Sequence, residues 1–383
     1  MWKLGFTTTL TMALMVTATA LCEGLASAAL SLIETRLRFP EPQLYLADPS
    51  SLKRLAGNFD AELGWTTPYG TRFGERPRAV DYGRPLVSAF GDSFTHGDEV
   101  SDGETWAEAL AASLGGDVFN FGVGGYGMDQ TLLRFERDQL RRPTPIVIFA
   151  FISGDLERCN WRYWKFHSPE SPFPMTKPRL VLRDGSLELL PNPVSTPEAL
   201  QAGVQDVAFV ERLSREDASF NPNGLPAIHR PYLFMLAQPS VWRGAFTAAR
   251  PRNVWSDPGA VHLAEQILVR FAQVARERGA RPVIVQLPLH AEMAAYLEGG
   301  KEPLASVETR AICERNGLEC IQPMLDEPAG PMGERWSYFV RGKGGGHYSA
   351  RGNRRIADVL ADHLRQLAPQ LVAAAHPGRR PEG

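Results

Sequence analysis

The stretch PLVSAFGDSFTHG (85–97) turns abruptly from apolar to polar at Gly91. Its first six residues form a short, mostly apolar run that ends at a glycine, which predicts a strand buried on both faces. An acid, a hydroxyl and an imidazole then follow at Asp92, Ser93 and His96. Because ligands in a doubly wound α/β sheet bind beyond the carboxyl ends of the strands, a functional site is expected at this polar run.

Apolar runs alternate with helix-like patterns along the rest of the chain. Further strands are predicted at DVFNFGV, PIVIFAFI (145–152), RPVIVQLPL (281–289) and LECIQP, with amphipathic helices between them. Continuously apolar strands that alternate with helices are typical of a parallel sheet covered on both faces. The sequence therefore predicts a three-layer α/β/α fold with a mainly parallel sheet.

The rhythm of strands and helices divides the chain into segments. The expected segments are an N-terminal anchor or signal peptide (1–33), a turn-rich lead-in (34–84), the main α/β domain (85–370) and a flexible tail (371–383). The rhythm breaks at about 165–257, which predicts an insertion between the third and fourth core strands. This insertion contains PRLVLRDGSLELLPNPV, a β-hairpin with an Asp184-Gly185 turn.

The composition is that of a globular protein. Of 383 residues, 44% are hydrophobic and 22% charged, and 41 basic against 43 acidic residues give a net charge of −2. This balance offers no basic face for nucleic acid. The four cysteines form no CxxC pair, so no structural zinc site is expected. Cys313 and Cys320 either form a disulfide or remain two separate core thiols.

The N-terminal segment carries one early lysine and then a long apolar stretch. Residues 4–22 approach the ~20 residues that span a bilayer, which indicates an uncleaved membrane anchor. A cleavable signal peptide fits as well, because the basic start and apolar middle are followed by ASA at 26–28. Both alternatives place the folded part outside the cytoplasm.

Ser93 is the candidate nucleophile, and it needs a base that arrives from another segment of the chain. His96 is disfavoured because it lies only three residues away on the same turn. His347, in GKGGGHYSARGN before the last predicted helix, is the preferred base, and His290 after the fourth strand is the alternative. A structural role stays open for Ser93, which could cap the N-terminus of a helix.

The glycine-rich stretch GVGGYG (122–127) admits two interpretations. It matches G-x-G-x-x-G between a strand and a helix, and Asp155 ends the next strand as a ribose-binding acid would, which is typical of a dinucleotide-binding enzyme. However, Asp155 lies about 28 residues on rather than about 20, and Ser93 and His347 would have no role. The alternative is an oxyanion hole, because a glycine-rich turn lets a backbone N–H face developing charge.

Three blocks in this order resemble the GDSL/SGNH hydrolases, and the stretches FDAELGWTTP and LIETRLRFP resemble bacterial envelope members of that family. FGDSFTHG is similar to the first block, NFGVGGYGMDQ to the second and GHYSARGNRRIADVL to the last, and the resemblance covers roughly 58–367. It implies a flavodoxin-like three-layer fold. It also implies that Ser93 is the nucleophile, that the N–H groups of Ser93 and Gly125 bind the oxyanion, and that His347 is the base.

The third block departs from the family pattern. In ISGDLERCN, Asp155 stands where the family usually offers an asparagine as oxyanion donor. Asn160, or the N–H of Ser93, would substitute for that donor. Asp92, beside the nucleophile, is a further candidate for a supporting role.

The last block departs as well, because Gly344 and Gly345 stand where the family usually carries the acid that orients the histidine. A backbone carbonyl could serve His347 instead. The nearby acids that could take the role are Asp326, Glu327 and Glu334.

Together these features predict a serine esterase or acyl-transfer enzyme that acts on ester-linked acyl groups. The apolar N-terminus and the resemblance suggest O-acetyl groups of cell-surface polysaccharide, at the periplasmic face of the inner membrane or in the periplasm. No cofactor and no metal are expected. The two departures leave open a catalytically inactive, glycan-binding protein on the same scaffold.

Two other clusters receive structural interpretations. The aromatic-rich run CNWRYWKFH (159–167) lies beside the expected cleft, and packing is favoured over sugar stacking. Asp98 and Glu99 follow His96, and they are interpreted as solvated loop charges rather than as metal ligands.

Overall fold

The computed structural model describes residues 2–34, 42–48, 56–168, 171–218, 220, 253–323, 336–342 and 346–373. The chain divides into two compact units. The smaller unit comprises Met1–Arg54, Trp161–Met175 and Glu198–Arg252, and the sheet unit comprises Leu55–Asn160, Thr176–Pro197 and Asn253–Gly383.

The strands and helices follow the predicted alternation. The strands are β1 (Phe59–Asp60), β2 (Gly64–Trp65), β3 (Pro85–Gly91), β4 (Asp117–Gly122), β5 (Ile146–Phe151), β6 (Arg179–Arg183), β7 (Ser186–Leu190), β8 (Arg281–Gln286) and β9 (Cys320–Ile321). The helices are α1 (Trp2–Glu34), α2 (Ser93–His96), α3 (Trp106–Leu114), α4 (Met128–Asp138), α5 (Gly154–Arg158), α6 (Trp164–His167), α7 (Pro197–Gly203), α8 (Val207–Glu216), α9 (Pro258–Glu277), α10 (His290–Gly299), α11 (Leu304–Asn316), α12 (Ala350–Leu367) and α13 (Pro369–Ala373).

Five strands form one sheet in the order β4-β3-β5-β8-β9, and all four neighbouring pairs are parallel. Counted along the chain this order is 2-1-3-4-5, the flavodoxin-like arrangement. The chain leaves β3 on one side to form β4 and returns to the other side to form β5. The carboxyl end of β3 is therefore the topological switch point, where a ligand site is expected.

Helices cover both faces of the sheet, which confirms the predicted three layers. In β5, Ile146 and Ile148 join the core beneath α3 and α12, whereas Val147 and Phe149 join the core beneath α4, α9 and α11. Side chains of a strand alternate between faces, so a strand buried on both sides must be apolar throughout. This is why the strands appear in the sequence as unbroken apolar runs.

The structure divides differently from the predicted insertion over 165–257. The hairpin of β6 and β7 belongs to the sheet unit, because Leu180 is buried in the sheet core and Leu182 and Leu187 pack against it. Of the predicted insertion, residues 165–175 and 198–252 belong to the smaller unit.

The smaller unit packs aromatic side chains from distant parts of the chain. Tyr45 contacts the rings of Phe166 and Phe220, and its carbonyl accepts a hydrogen bond of 2.8 Å from the Tyr163 hydroxyl. Tyr163 and Phe166 are fully buried. Packing is therefore the role of these two members of the aromatic run 159–167.

Helix α1 contains an apolar window over Thr9–Ala26 with a mean hydropathy of 1.5. By length and composition this window can cross a bilayer, and both a membrane anchor and a signal sequence meet that description.

A disulfide joins Cys313 in α11 to Cys320 in β9. Of the two alternatives for these cysteines, the structure has the bonded one.

Candidate active site

Ser93 is the first residue of α2, immediately beyond the carboxyl end of β3. The helix is capped by Asp92, whose carboxylate accepts a hydrogen bond of 2.9 Å from the N–H of Phe94. The capping role therefore belongs to Asp92 and not to Ser93, whose Oγ lies 3.5 Å from Asp92 Oδ2. The turn is tight: a Cβ added to Gly122 would lie 2.2 Å from the backbone nitrogen of His96, so β4 requires a glycine there.

His347 reaches Ser93 from the far end of the chain. Its Nε2 lies 2.9 Å from Ser93 Oγ, and its Nδ1 lies 2.8 Å from Glu99 Oε2. A carboxylate facing Nδ1 holds the ring proton on that nitrogen, which leaves Nε2 free to accept the hydroxyl proton of Ser93. Ser93, His347 and Glu99 thus form a hydroxyl–imidazole–carboxylate triad.

Glu99 is held in its ionised form. The backbone N–H of His347, at 3.0 Å, and then its ring lower the pKa of Glu99 to about 2, and Arg341 adds a contact of 3.1 Å. Near neutral pH the carboxylate is therefore charged and oriented by two hydrogen bonds from the residue that it serves.

The interpretation of Glu99 as a solvated loop charge is wrong. The carboxylate that contacts His347 comes from the loop after α2, six residues after Ser93. The acids Asp326, Glu327 and Glu334, and the glycines Gly344 and Gly345, lie outside the described residues. The sequence signal was weak, because a Gly-Asp-Glu turn is also ordinary loop composition.

A glycine-rich turn after β4, residues 122–127 and called the glycine turn below, lies beside Ser93. A Cβ added to Gly124 would lie 3.9 Å from Ser93 Cβ, and Gly125 adopts a left-handed conformation with φ of 80°. Trp65 fixes the turn by donating a hydrogen bond of 2.9 Å from Nε1 to the carbonyl of Gly124. Within the described ranges, the N–H groups of Ser93 and Gly125 have no protein acceptor, so both are available to an anion.

Asp155 does not face this turn. Its carboxylate is fully buried, with one oxygen bound to Arg158 Nη1 and the other accepting from the N–H of Ile152 at 3.1 Å. Burial and the neighbouring Asp92 raise the pKa of Asp155 well above its ordinary value, and Arg158 opposes that shift. Asp155 therefore has no access to an oxyanion, nor to the ribose that the dinucleotide interpretation assigned to it.

Arg158 joins three of the loops that build the site. Its Nη1 contacts Asp92 at 3.2 Å and the carbonyl of Tyr126 at 3.0 Å, in addition to Asp155. Arg158 thereby connects the turn that contains Asp92 and Ser93 to the glycine turn. This role was not predictable from the sequence, where Arg158 is one more charged residue of a short helix.

The remaining candidates have other partners. His96 bonds to Tyr69 and Asp98, and the His290 ring packs against the rings of Trp336 and Phe339. Asn160 Oδ1 accepts from Arg179 at 3.3 Å. In the described ranges, no group of three or more His, Cys, Asp or Glu side chains could hold a metal ion.

Comparisons with known proteins give matches among solved structures alone. No protein-family model matches the chain, and no curated protein does. A lipase/acylhydrolase from Enterococcus faecalis has a TM-score of 0.37 and 11% identity, over 74% of this chain and 96% of that one. A member of the lipolytic protein G-D-S-L family from Veillonella parvula has a TM-score of 0.34 and 12% identity, over 72% and 96%.

A third match is LAE5, an alpha/beta hydrolase enzyme from the metagenome of Lake Arreo, with a TM-score of 0.37 and 11% identity, over 78% and 100%. Similarity at this level shows neither membership of a family nor a substrate. The chain's own fold and site define an α/β protein with a flavodoxin-like sheet and a Ser-His-Glu triad at its switch point.

Proposed function

We propose that this protein is a serine esterase of the GDSL/SGNH type. The observation that carries the proposal is the continuous chain of contacts from Ser93 Oγ through the His347 ring to Glu99. A nucleophilic serine needs a base within hydrogen-bond reach and an acid that orients the base. Both requirements are met at the carboxyl end of the sheet.

The acylation step follows from the positions of these groups. Ser93 Oγ attacks the ester carbonyl carbon, and its proton passes to His347 Nε2. Glu99 stabilises the resulting imidazolium through Nδ1–H. The carbonyl oxygen becomes an oxyanion, which the N–H groups of Ser93 and Gly125 would bind. As the ester C–O bond breaks, His347 returns the proton to the departing alcohol.

Deacylation uses the same groups in reverse. His347 takes a proton from water as the water oxygen bonds to the acyl carbon. The bond between the acyl carbon and Ser93 Oγ then breaks, and His347 returns the proton to Oγ, which gives a carboxylic acid and the free serine. If a sugar hydroxyl replaces water, the same step transfers the acyl group. The proposed substrates are short acyl esters, in particular O-acetyl groups of cell-surface polysaccharide.

The inactive, glycan-binding alternative rested on a missing triad acid and on Asp155. Glu99 supplies an acid, and the Asp155 carboxylate is bound by Arg158 and by the N–H of Ile152. These contacts support the active enzyme over the alternative. The proposed location, at the envelope side of a membrane or in the periplasm, is supported by the apolar window of α1.

The test is hydrolysis of aryl esters by the full-length chain in detergent. Wild type, Ser93→Ala and the control Ser186→Ala, which changes an exposed serine of the β6–β7 hairpin, are compared on acetate, butyrate and octanoate esters. We expect turnover with a preference for acetate, loss of about 10⁴-fold or more in Ser93→Ala, and no loss in the control. Wild-type turnover no greater than that of Ser93→Ala would refute the esterase. Binding of acetylated glycan by that inactive protein would then support the glycan-binding alternative.

A further inference from the structure

We infer that Arg76, in the turn-rich lead-in, is the residue that positions the triad acid Glu99. This inference rests on the proposed function, since it concerns how the triad is assembled. Glu99 lies in the acid loop, defined here as residues 97–101, between α2 and the short 3-10 turn Asp102–Glu104. Within the described ranges, no residue of this loop belongs to a strand that would hold its backbone in place.

The guanidinium of Arg76 is buried and binds the acid loop on both sides of Glu99. It donates to the carbonyls of His96 and Gly97 at 2.5 and 2.8 Å, and to the carbonyl of Val100 at 2.8 Å. Its Nε also pairs with Asp102 at 2.8 Å. One side chain therefore spans the loop from its first residue to its end.

Arg76 is itself fixed to the sheet. Its backbone N–H donates to the carbonyl of Asn120 in β4 at 2.8 Å. The Asn120 side chain in turn donates to the carbonyl of Thr95 at 2.7 Å, at the end of the nucleophile helix α2. Arg76 thus holds the acid loop at a fixed position relative to the sheet, because its backbone bonds to β4 and its guanidinium bonds to the loop.

The backbone of Glu99 explains why such a clamp is needed. Its φ of 69° lies in the left-handed region, which is unfavourable for any residue with a Cβ. Such a conformation persists only where the surroundings determine it. Without Arg76, the carbonyl of Val100 would lose its donor, and those of His96 and Gly97 would keep only longer contacts, with Asn120 Nδ2 at 3.3 Å and the Val100 N–H at 3.4 Å. The loop would then be free to relax toward negative φ. That rotation would carry the carboxylate away from His347.

A purely structural role for Arg76 would lower stability without acting through Glu99. A double-mutant cycle separates the two roles, because residues that act through one another are not additive. The turnover of an aryl acetate is measured for wild type, Arg76→Ala, Glu99→Gln and the double variant. Arg78→Ala is the matched control, since Arg78 is a partly buried arginine of the same segment that pairs with Asp81 and Asp117 instead.

We expect Arg76→Ala to lower kcat by about 100-fold, the scale of a displacement of about 1 Å in a catalytic group. The double variant should match Glu99→Gln within about threefold, and Arg78→Ala should stay within about threefold of wild type. Arg76→Lys, which keeps the charge but cannot reach all three carbonyls, should recover part of the loss. Losses that multiply in the double variant, or a loss below about threefold in Arg76→Ala, would overturn the inference.

A crystal structure of Arg76→Ala, or of Arg76→Lys if the alanine variant does not fold, tests the inference without activity. We expect Glu99 to leave hydrogen-bond distance of His347 Nδ1 in the alanine variant and to be displaced in the lysine variant. An unchanged contact would overturn the inference even if the esterase is confirmed. Equal turnover by wild type and Ser93→Ala would instead refute the proposed function, and the structure would still decide whether Arg76 holds Glu99.

Discussion

Glu99 binds His347 twice, although 248 residues separate them in the chain. One carboxylate oxygen accepts from the backbone N–H at 3.0 Å and lies 2.8 Å from Nδ1 of the ring. The same contact therefore places the backbone of the histidine and selects the ring nitrogen that carries the proton.

Replacing Glu99 by glutamine should lower kcat by about 10³–10⁴-fold, with little change in KM. A glutamine can present its NH₂ group to Nδ1, which favours the ring tautomer that cannot accept the serine proton. The measurement is steady-state hydrolysis of an aryl acetate by the full-length chain. The control is Glu277→Gln, which changes an exposed glutamate at the end of α9 and should keep wild-type turnover. A Glu99→Gln variant within about tenfold of wild type would show that the triad acid lies elsewhere.

The stability conferred by Glu99 should depend on pH. Its pKa is lowered from an ordinary value of 4.5 to about 2 in the folded protein. The stabilisation by the ionised group is therefore complete above the unfolded pKa and is lost as the pH falls through the folded one. Urea unfolding of wild type and Glu99→Gln should differ most above about pH 5 and converge toward about pH 2. A difference that stays constant over this range would contradict the assigned shift.

Replacing Arg158 by methionine should reduce the free energy of unfolding by about 3–5 kcal/mol. The substitution would leave Asp92 and Asp155, both fully buried, without their shared cation. The control is Arg270→Met, because the exposed pair of Arg270 with Glu136 should contribute about 1 kcal/mol or less. Equal losses in the two variants would show that the buried network has no special role.

Replacing Gly122 by alanine should destabilise the protein by about 3 kcal/mol and reduce turnover. The new Cβ would lie 2.2 Å from the backbone nitrogen of His96, so α2 and Ser93 would have to move away from β4. Gly70→Ala is the control, since a Cβ there meets no atom within 4 Å. Unfolding midpoints and aryl acetate turnover are measured for both. A Gly122→Ala variant as stable and active as Gly70→Ala would mean that the close contact between Gly122 and the backbone of α2 does not determine the position of Ser93.

The fold was predictable from the sequence because strands buried on both faces of a sheet appear in the sequence as continuous apolar runs. The strands over Pro85–Gly91, Ile146–Phe151 and Arg281–Gln286 are each six or seven residues of mostly apolar side chains between turns. The flanking helices carry recognisable ends, such as the Thr105 cap and the Gly115 stop of α3. Such local patterns determine elements, and their alternation determines a parallel sheet.

The support of the site was not predictable in the same way. Ser93 and His347 were predicted because their segments resemble known blocks, whereas Glu99, Arg76 and Arg158 make contacts between distant segments that no local pattern reveals. Glu99 was passed over because its role depends on a left-handed backbone that a sequence pattern does not reveal. Arg76 lies in a lead-in with little periodicity, and only its four hydrogen bonds show its importance.

The central claim is that Ser93 is a nucleophile activated by His347 and Glu99. The most direct measurement is mass spectrometry of the full-length chain after reaction with a fluorophosphonate, with the modified residue identified by fragmentation. We expect one adduct, on Ser93, that forms rapidly in wild type and is absent from Ser93→Ala. Its formation should be slowed by about 100-fold or more in both His347→Ala and Glu99→Gln. An adduct on another residue, or labelling of Ser93 at the wild-type rate in both variants, would contradict the claim.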